Sequence, residues 1–400
     1  MRILQAHNYY RTSAPSGEDN VVESERALLR EYGHTVEQFV RRNDDLEAMG
    51  ARGAILGAAS TPWNPFSASA IKRAVTEFDA DIVHAHNTFP QLSPSVYSAV
   101  DTRAGRVLTL HNYRPLCAAA IPMRDGHVCI ECVEKQSSLP SLKYGCYRGS
   151  RAATLPLAAQ VSLHRLLGTW QRHVDAFIVL TEFQREMMVK GGFPSELLHV
   201  KPNFFPGWPK VHKHSDRPER VLFLGRHTQE KGVQDLIAAW RLWGEDAPQL
   251  RIAGDGELRN RLEREAAGLP IKFLGQIGQQ EARSEIANSR LLVVPSICFE
   301  GFPMVLQEAF ALGTPAAVSD VGPLPSLVKS GMLGGIFAPR NPASLLEEVR
   351  RLVSDQAVLG EKSLAARRTF EKEYTQDANV KALVQIYETA IAVKKERRKK

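Results

Sequence analysis

"RVLFLGRHTQEKG" occupies residues 220–232. Five residues of mostly apolar character end at Gly225, a polar loop carries Arg226 and Lys231, and Gly232 opens the helical pattern "VQDLIAAW". An apolar run, a short loop and an amphipathic stretch read as strand, loop and helix. The stretch just before it, "PNFFPGWPKVHKHSDRPER" (202–220), is rich in Pro, Gly and charge and reads as a linker. Arg220 therefore begins something new. Downstream, "QLRIAG" (249–254), "IKFLG" (271–275) and "LLVVPS" (291–296) repeat the apolar run, with helical patterns between them.

The same grammar precedes the linker. "RILQAH" (2–7), "HTVEQFVR" (34–41), "DIVHAH" (81–86), "RVLTLH" (106–111) and "AFIVLT" (176–181) are strand-like. "NVVESERALLREYG" (20–33) places Val21, Val22, Leu28 and Leu29 on one helical face and stops at Gly33. Strand–helix alternation predicts parallel sheets. The expected fold is α/β, with two Rossmann-like doubly wound domains facing across a cleft and ligands at the carboxyl ends of the strands. The expected boundaries are 1–205 for the first domain, with a cysteine-rich insert at 115–150, and 206–375 for the second. A final helix and basic tail take 376–400.

The bulk numbers fit this picture. The chain has 400 residues, 44% hydrophobic and 24% charged, enough for two globular cores. A net charge of +7 suits an anionic partner such as a nucleotide or a phospholipid surface. Aromatic or groove-reading residues are not interleaved with the cations, so no nucleic-acid partner is expected. No run of about 18 apolar residues occurs, and "MRILQAHNYY" turns polar too soon for a secretory signal. With five cysteines the expectation is a cytoplasmic protein, with peripheral attachment to the inner face of a membrane.

The strand ends of the second half carry chemistry. Arg226 and Lys231 beside a helix start make an anion site, or are two solvated surface cations. In "CFEGFPMVLQEAF" (298–310), Pro303 reads as a first helical residue, and the helix ends at Gly313. The N–H groups near Met304 and Val305 can hold a phosphate. Glu308 lies about 7 Å further along the axis, near a ribose; Glu300 stands on the loop side, near the transferred sugar. The competing reading makes Glu300 a helix cap and Glu308 a half-buried surface residue.

"GRHTQEKG", "GDGEL", "FLGQI" and "EGFPMVLQEAFALGTPAAVSDVGPLPSLV" together resemble the retaining glycosyltransferases of family 4, which have the GT-B architecture. The resemblance covers nearly the whole chain. The family's E-x7-E pattern falls on Glu300 and Glu308, and its donor-diphosphate cations on Arg226 and Lys231. It implies donor contacts from Gly301, Phe302, Met304 and Val305. It implies an acceptor-side glycine loop at "NYY…GEDNVV", where Ser16 and Gly17 stand in place of two glycines. It also implies a sugar-facing role for His111 in "TLHNYR". Nucleotide-sugar, UDP- or GDP-linked, is the implied co-substrate, with a glycan or lipid-linked hydroxyl acceptor and no catalytic divalent metal. The alternatives are a nucleotide-sugar epimerase on the same fold and a non-catalytic nucleotide-sugar binder.

His84, His86 and His111 all fall at strand ends, as site residues or as histidines satisfied by local backbone, and Asn87 and Asn112 beside them are candidate acceptor contacts. "CAAAIPMRDGHVCIECVEKQSSLPSLKYGC" carries Cys117, Cys129, Cys132 and Cys146. One C-x2-C with two outlying cysteines is compatible with a structural zinc held by four thiolates, with His127 as a spare ligand. Partly buried free thiols are the other reading, and disulfides the third; Cys298 reads as core. "LPLAAQVSLHRLLGTWQRHV" (155–174) and the six cations of "KKERRKK" (394–400) can attract anionic lipid, or are a packed helix and a solvated tail.

Overall fold

The structure, a computed structural model, describes residues 1–10, 12, 16–100 and 104–399. Its strands in chain order are β1 (Arg2–Tyr9), β2 (Thr35–Arg42), β3 (Ile82–Ala85) and β4 (Gly105–Leu110), then a short hairpin of β5 (Met123–Arg124) and β6 (His127–Val128). β7 (Ala176–Val179), β8 (Leu198–Val200), β9 (Arg220–Leu224), β10 (Gln249–Ala253) and β11 (Ile271–Gly275) follow, then β12 (Leu291–Val294), β13 (Ala316–Ser319) and β14 (Gly334–Phe337). Two compact units result. One comprises Met1–Pro122, Cys129–Asn203 and Asn379–Lys400; the other comprises Met123–Val128 and Phe204–Ala378.

Each unit is built on a six-stranded sheet, ordered β2-β1-β3-β4-β7-β8 in the first and β11-β10-β9-β12-β13-β14 in the second. Every pairing within them is parallel. Parallel sheets bury both faces, which is why β3, β4, β7, β12 and β13 are buried along their whole length. In the second unit Val221, Phe223, Trp240, Leu250, Ile252 and Val293 meet in one core, and Trp240 Nε1 donates to Pro248 O at 2.8 Å. Both sheets reverse their strand order at one place, between β1 and β3 and between β9 and β12. Ligands of open parallel sheets bind at such switch points, outside the strand ends.

Three local expectations change. Pro303 is the residue before the helix Met304–Ala311, not its first: its ψ of 112 is extended, and its carbonyl accepts from Leu306 N. Gly17 is the first residue of the helix Gly17–Glu31, not part of an open loop. Ser16 caps that helix reciprocally with Asp19 (Asp19 N to Ser16 Oγ 3.1 Å, Ser16 N to Asp19 Oδ2 2.7 Å). A glycine has no side chain to do this, so the serine exchanges backbone freedom for a fixed helix start. Most of the preceding loop, residues 11 and 13–15, lies outside the described residues.

Candidate active site

In the second unit the loops after β9 and β12 are neighbours because their strands are, and Ile297 N donates to Glu230 O at 2.9 Å to tie them. Lys231 closes a 3-10 turn that ends at Gly232, whose φ is +68. A Cβ on Gly232 would lie 2.0 Å from Pro295 O, so only glycine permits this approach. The turn carries Lys231 Nζ to 2.6 Å from Glu300 Oε1, and Ser296 Oγ donates to the same oxygen at 2.7 Å. Burial would raise the Glu300 pKa, but the Lys231 charge and the two hydrogen bonds bring it below its ordinary value. Burial likewise opposes the Lys231 charge, and Glu300 more than offsets it. The pair is ionised. Arg226 is exposed, 3.3 Å from Glu230, and its charge acts on both members of the pair.

The helix Met304–Ala311 begins beside this pair with no side chain capping it. Gly301 lies in the bend ahead of it and Val305 in its first turn. The Phe302 side chain turns inward, edge-on to Tyr374 at 5.6 Å, so only its backbone is left for a ligand. Glu308 stands apart from the Lys231 group. Burial lifts its pKa to about 7, with Arg283 the opposing charge. Glu300 is not a helix cap; it belongs to the lysine.

In the first unit the switch point gathers imidazoles. His84 lies in β3, His86 just beyond it, and His111 just beyond β4. His86 Nδ1 is 3.0 Å from His111 Nε2, with the rings stacked at 5.3 Å. Glu25 Oε1, from the helix Gly17–Glu31, approaches His84 Nδ1 at 3.2 Å and His86 Nε2 at 3.3 Å. Burial raises the Glu25 pKa, but His84 and Lys201, the latter 3.5 Å from Oε2, drive it well below the ordinary value. His84 is engaged at both nitrogens, by Tyr387 Oη and Thr109 Oγ1, each at 2.8 Å. Burial and His84 push the His86 pKa down to about 3; burial and His86 lower that of His111. His86, His111, Asn112, Arg114, Gln160 and Trp170 line a cavity of about 50 Å³. Asn112 donates to Glu18 Oε1 at 2.9 Å, and Asn87 is taken up by backbone: its Nδ2 donates to Asn8 O and its Oδ1 accepts from Phe89 N.

Among the described residues, the ligand-type atoms lying within 4.8 Å of one another in a group of three belong to Glu25, His84 and His86. Lys201 already matches the Glu25 charge, and a divalent ion would have to displace Tyr387 from His84, so the site reads as a hydrogen-bonded core cluster. No three of the Cys117, Cys129, Cys132 and Cys146 thiols reach that spacing, and no disulfide joins them. His127 meets Arg340 instead of a thiol, at 2.9 Å.

Glu25, Lys201, Ser296 and Arg283 were not singled out from sequence. Glu25 had a signal: it interrupts the apolar face of Val21, Val22, Leu28 and Leu29 at helical spacing. Ser296 ends a strand-like run, as Lys231 and Glu300 follow theirs. Lys201 and Arg283 had none.

Two doubly wound parallel sheets, each with polar groups converging at its switch point, define a protein of the GT-B fold. Residues 16–206 match the family "Glycosyltransferase Family 4", and residues 205–373 match "Glycosyl transferases group 1". By both halves the chain is of the GT-B glycosyltransferase family 4 type. An uncharacterised glycosyltransferase of Methanocaldococcus jannaschii is 32% identical over 181 residues, 44% of this chain and 46% of that one. The chain thus spans under half the length of the first curated relatives it matches. Among solved structures, a glycosyltransferase from Rickettsia africae superposes with a TM-score of 0.68 at 15% identity, over 98% of both chains. Anabaena HepE in complex with UDP superposes with a TM-score of 0.64 at 17% identity, over 98% of this chain and 100% of that one.

Proposed function

We propose that the protein is a retaining glycosyltransferase that moves a hexose-type unit from a UDP- or GDP-linked donor to a hydroxyl acceptor in surface polysaccharide or glycolipid synthesis. The observation that carries this reading is the Lys231–Glu300 pair at 2.6 Å, beside Arg226 and an uncapped helix start. As the sugar–phosphate bond breaks, negative charge grows on the diphosphate. In this reading Lys231, Arg226 and the N–H groups near Met304 and Val305 take it up. Glu300, fixed by Lys231 and Ser296, orients the sugar that is left positively polarised. Glu308 accepts from the ribose hydroxyls, and His111 meets a sugar hydroxyl. HepE, solved with UDP, supports a nucleoside diphosphate donor by fold alone.

We assign the membrane contact to a helix of the first unit rather than to the tail. Lys394 is buried, and Arg397 donates to Asp175 Oδ1 at 3.0 Å and to the carbonyls of Gln171, Arg172 and Val174, which leaves Lys395, Arg398 and Lys399 exposed. The helix Arg151–Leu166 buries Leu157 and Val161 as packing and exposes Leu155 and Leu166 near its two ends. The helix Gly50–Ser60 buries only Gly53 and Gly57 and exposes Arg52, Ile55, Leu56 and Ala59 together at helical spacing. Phe66, 84% exposed, and Arg73 share a face seven residues apart on the next helix. Apolar tips with cations beside them suit an anionic lipid surface, although Asp45 and Glu47 are exposed nearby. No helix among the described residues is long and apolar enough to cross a membrane.

The test of the activity is product analysis. Incubation with UDP- and GDP-sugars and candidate acceptors should give an α- or β-linked product of the donor's own anomeric configuration. Inversion at the anomeric carbon would end the retaining assignment, and an epimerised donor with no acceptor consumed would end the transferase reading.

A further inference from the structure

We propose that Glu25, acting through His86, decides which nitrogen of His111 carries the proton, leaving His111 Nδ1 as a bare acceptor that only a hydrogen-bond donor such as a sugar hydroxyl can meet. The sugar in this statement rests on the glycosyltransferase reading above; the proton placement does not.

The inference follows from charges and one proton per ring. Glu25 is a buried carboxylate, and Lys201 beside Oε2 keeps it charged. His86 Nε2 lies 3.3 Å from Glu25 Oε1, off the line of a hydrogen bond, and neither atom has a hydrogen-bond partner among the described residues, so the carboxylate acts on this nitrogen by its charge. A nitrogen lone pair this close to a buried carboxylate is repelled, whereas an N–H is attracted, so His86 Nε2 holds the proton. A neutral imidazole has one N–H, and burial keeps His86 neutral. Its Nδ1 is therefore an acceptor. That atom lies 3.0 Å from His111 Nε2, and two lone pairs do not face each other at hydrogen-bond distance, so His111 Nε2 must donate. His111 is held neutral by burial and by His86, which uses its single proton in this bond. His111 Nδ1 is left without one.

The chemical consequence is selectivity at the cavity that His111 lines. A hydroxyl can donate to Nδ1; a carboxylate or an ionised phosphate oxygen cannot, and would meet a lone pair there. Glu25 and His86 are positioning residues. Neither needs to touch substrate; the neighbouring His84 and His7 rings pack against His86, with centroids 4.1 and 6.2 Å from its own, and His84 Nδ1 shares Glu25 Oε1 at 3.2 Å.

Nitrogen-15 NMR of the full-length protein with labelled histidine tests this, with the two rings assigned from His86→Gln and His111→Gln spectra. At pH 7 both rings should show a protonated Nε2 and an unprotonated Nδ1. A proton on His111 Nδ1, or on both of its nitrogens, overturns the proposal. In Glu25→Gln the Lys201 cation holds the carbonyl oxygen, which turns the amide NH2 toward His86 Nε2, so both rings should invert to the Nδ1–H form. Unchanged tautomers in a folded variant would also overturn it. Should that variant fail to fold with Lys201 unmatched, the wild-type tautomers decide the proposal by themselves. On the activity side, Glu25→Gln should lower kcat at least tenfold with nucleotide affinity unchanged, and Glu25→Asp should recover part of it. If wild-type protein shows the expected tautomers but transfers no sugar, the functional reading fails and the proton assignment stands.

Discussion

Lys231 Nζ and Glu300 Oε1, 69 residues apart in sequence, lie 2.6 Å apart at the switch point of the second sheet. One contact joins the cation proposed for the diphosphate to the carboxylate proposed for the sugar. Removing either partner should therefore disturb both halves of the donor, though unequally. Lys231→Ala should weaken binding of free nucleoside diphosphate and intact donor alike. Glu300→Gln keeps the shape, so nucleotide should still bind while turnover falls at least tenfold, about 1.4 kcal/mol in the barrier. Titration calorimetry and steady-state kinetics on both variants check this. Nucleotide binding lost in Glu300→Gln at normal turnover would reverse the assignment. The pair also sets a pH window. The lowered Glu300 pKa gives stability that is lost as pH falls through it, and the raised Lys231 pKa gives stability that is lost as pH rises through it. The contact should hold across the neutral range.

Glu308 has the opposite sign. Its pKa is raised from 4.5 to about 7, so the folded protein binds this proton more tightly than the unfolded chain. Stability should fall as pH rises through that interval, and the full cost remains above it. Glu308→Gln should then raise stability at pH 8 by on the order of 3 kcal/mol and change little at pH 4. The same substitution should weaken nucleotide binding, because an ionised carboxylate is the stronger acceptor for ribose hydroxyls. Wild-type affinity should accordingly rise between pH 6 and 8. Thermal melts at the two pH values, with nucleotide titration, provide the measurement. A variant with unchanged melting and unchanged affinity would make Glu308 a surface residue only.

The thiols divide by burial. Cys117, Cys132 and Cys298 are buried, and burial raises the pKa of each, that of Cys117 to about 12. A buried, protonated thiol reacts slowly. In native protein Cys129, which is half-buried, should be labelled well before those three, and all should react once the chain is unfolded. One zinc per chain by elemental analysis, with Cys129 protected until chelator is added, would instead mean that the thiols close on a metal.

The strands of four residues or more with strong apolar runs were legible from sequence, as was the restart at Arg220. β13 ("AAVS") and β14 ("GGIF") were not singled out: they are short and made largely of Ala and Gly, which carry little strand preference. β8 has three residues and each hairpin strand two, too few for any period to register. At the site, the strand-end rule pointed to the loops holding Lys231, Glu300 and the histidines. It could not say that Lys231 reaches Glu300 while Glu308 stays apart, because that depends on the αL turn at Gly232. The relay through Glu25 was further out of reach, since it joins β3, β4 and a helix through side chains whose order along the sheet is a tertiary fact.

The basic tail and the apolar helix make opposed predictions for membrane binding. If the tail attracted lipid, removing residues 398–400 would abolish association, and added salt would do the same, because surface attraction is screened over about 10 Å at 0.1 M salt. Arg397 should be kept in that truncation, since its bonds to Asp175 and three carbonyls hold the end of the last helix and its loss should lower the melting temperature. On the other reading, Ile55 at 70% exposure, Leu56 and Phe66 enter the lipid interface, and Arg52 and Arg73 meet its phosphates. Each large apolar side chain contributes about 1.5–3 kcal/mol when fully buried. The triple variant Ile55→Gln/Leu56→Gln/Phe66→Gln should therefore lose at least tenfold in partitioning to anionic vesicles. Its melting temperature and nucleotide affinity should be unchanged, because none of the three side chains packs the core. The truncation should lose little, and part of the wild-type binding should survive high salt. Vesicle flotation of the three proteins at two salt concentrations gives the comparison. Equal partitioning of the triple variant and wild type, with the truncation released by salt, would return the membrane contact to the tail.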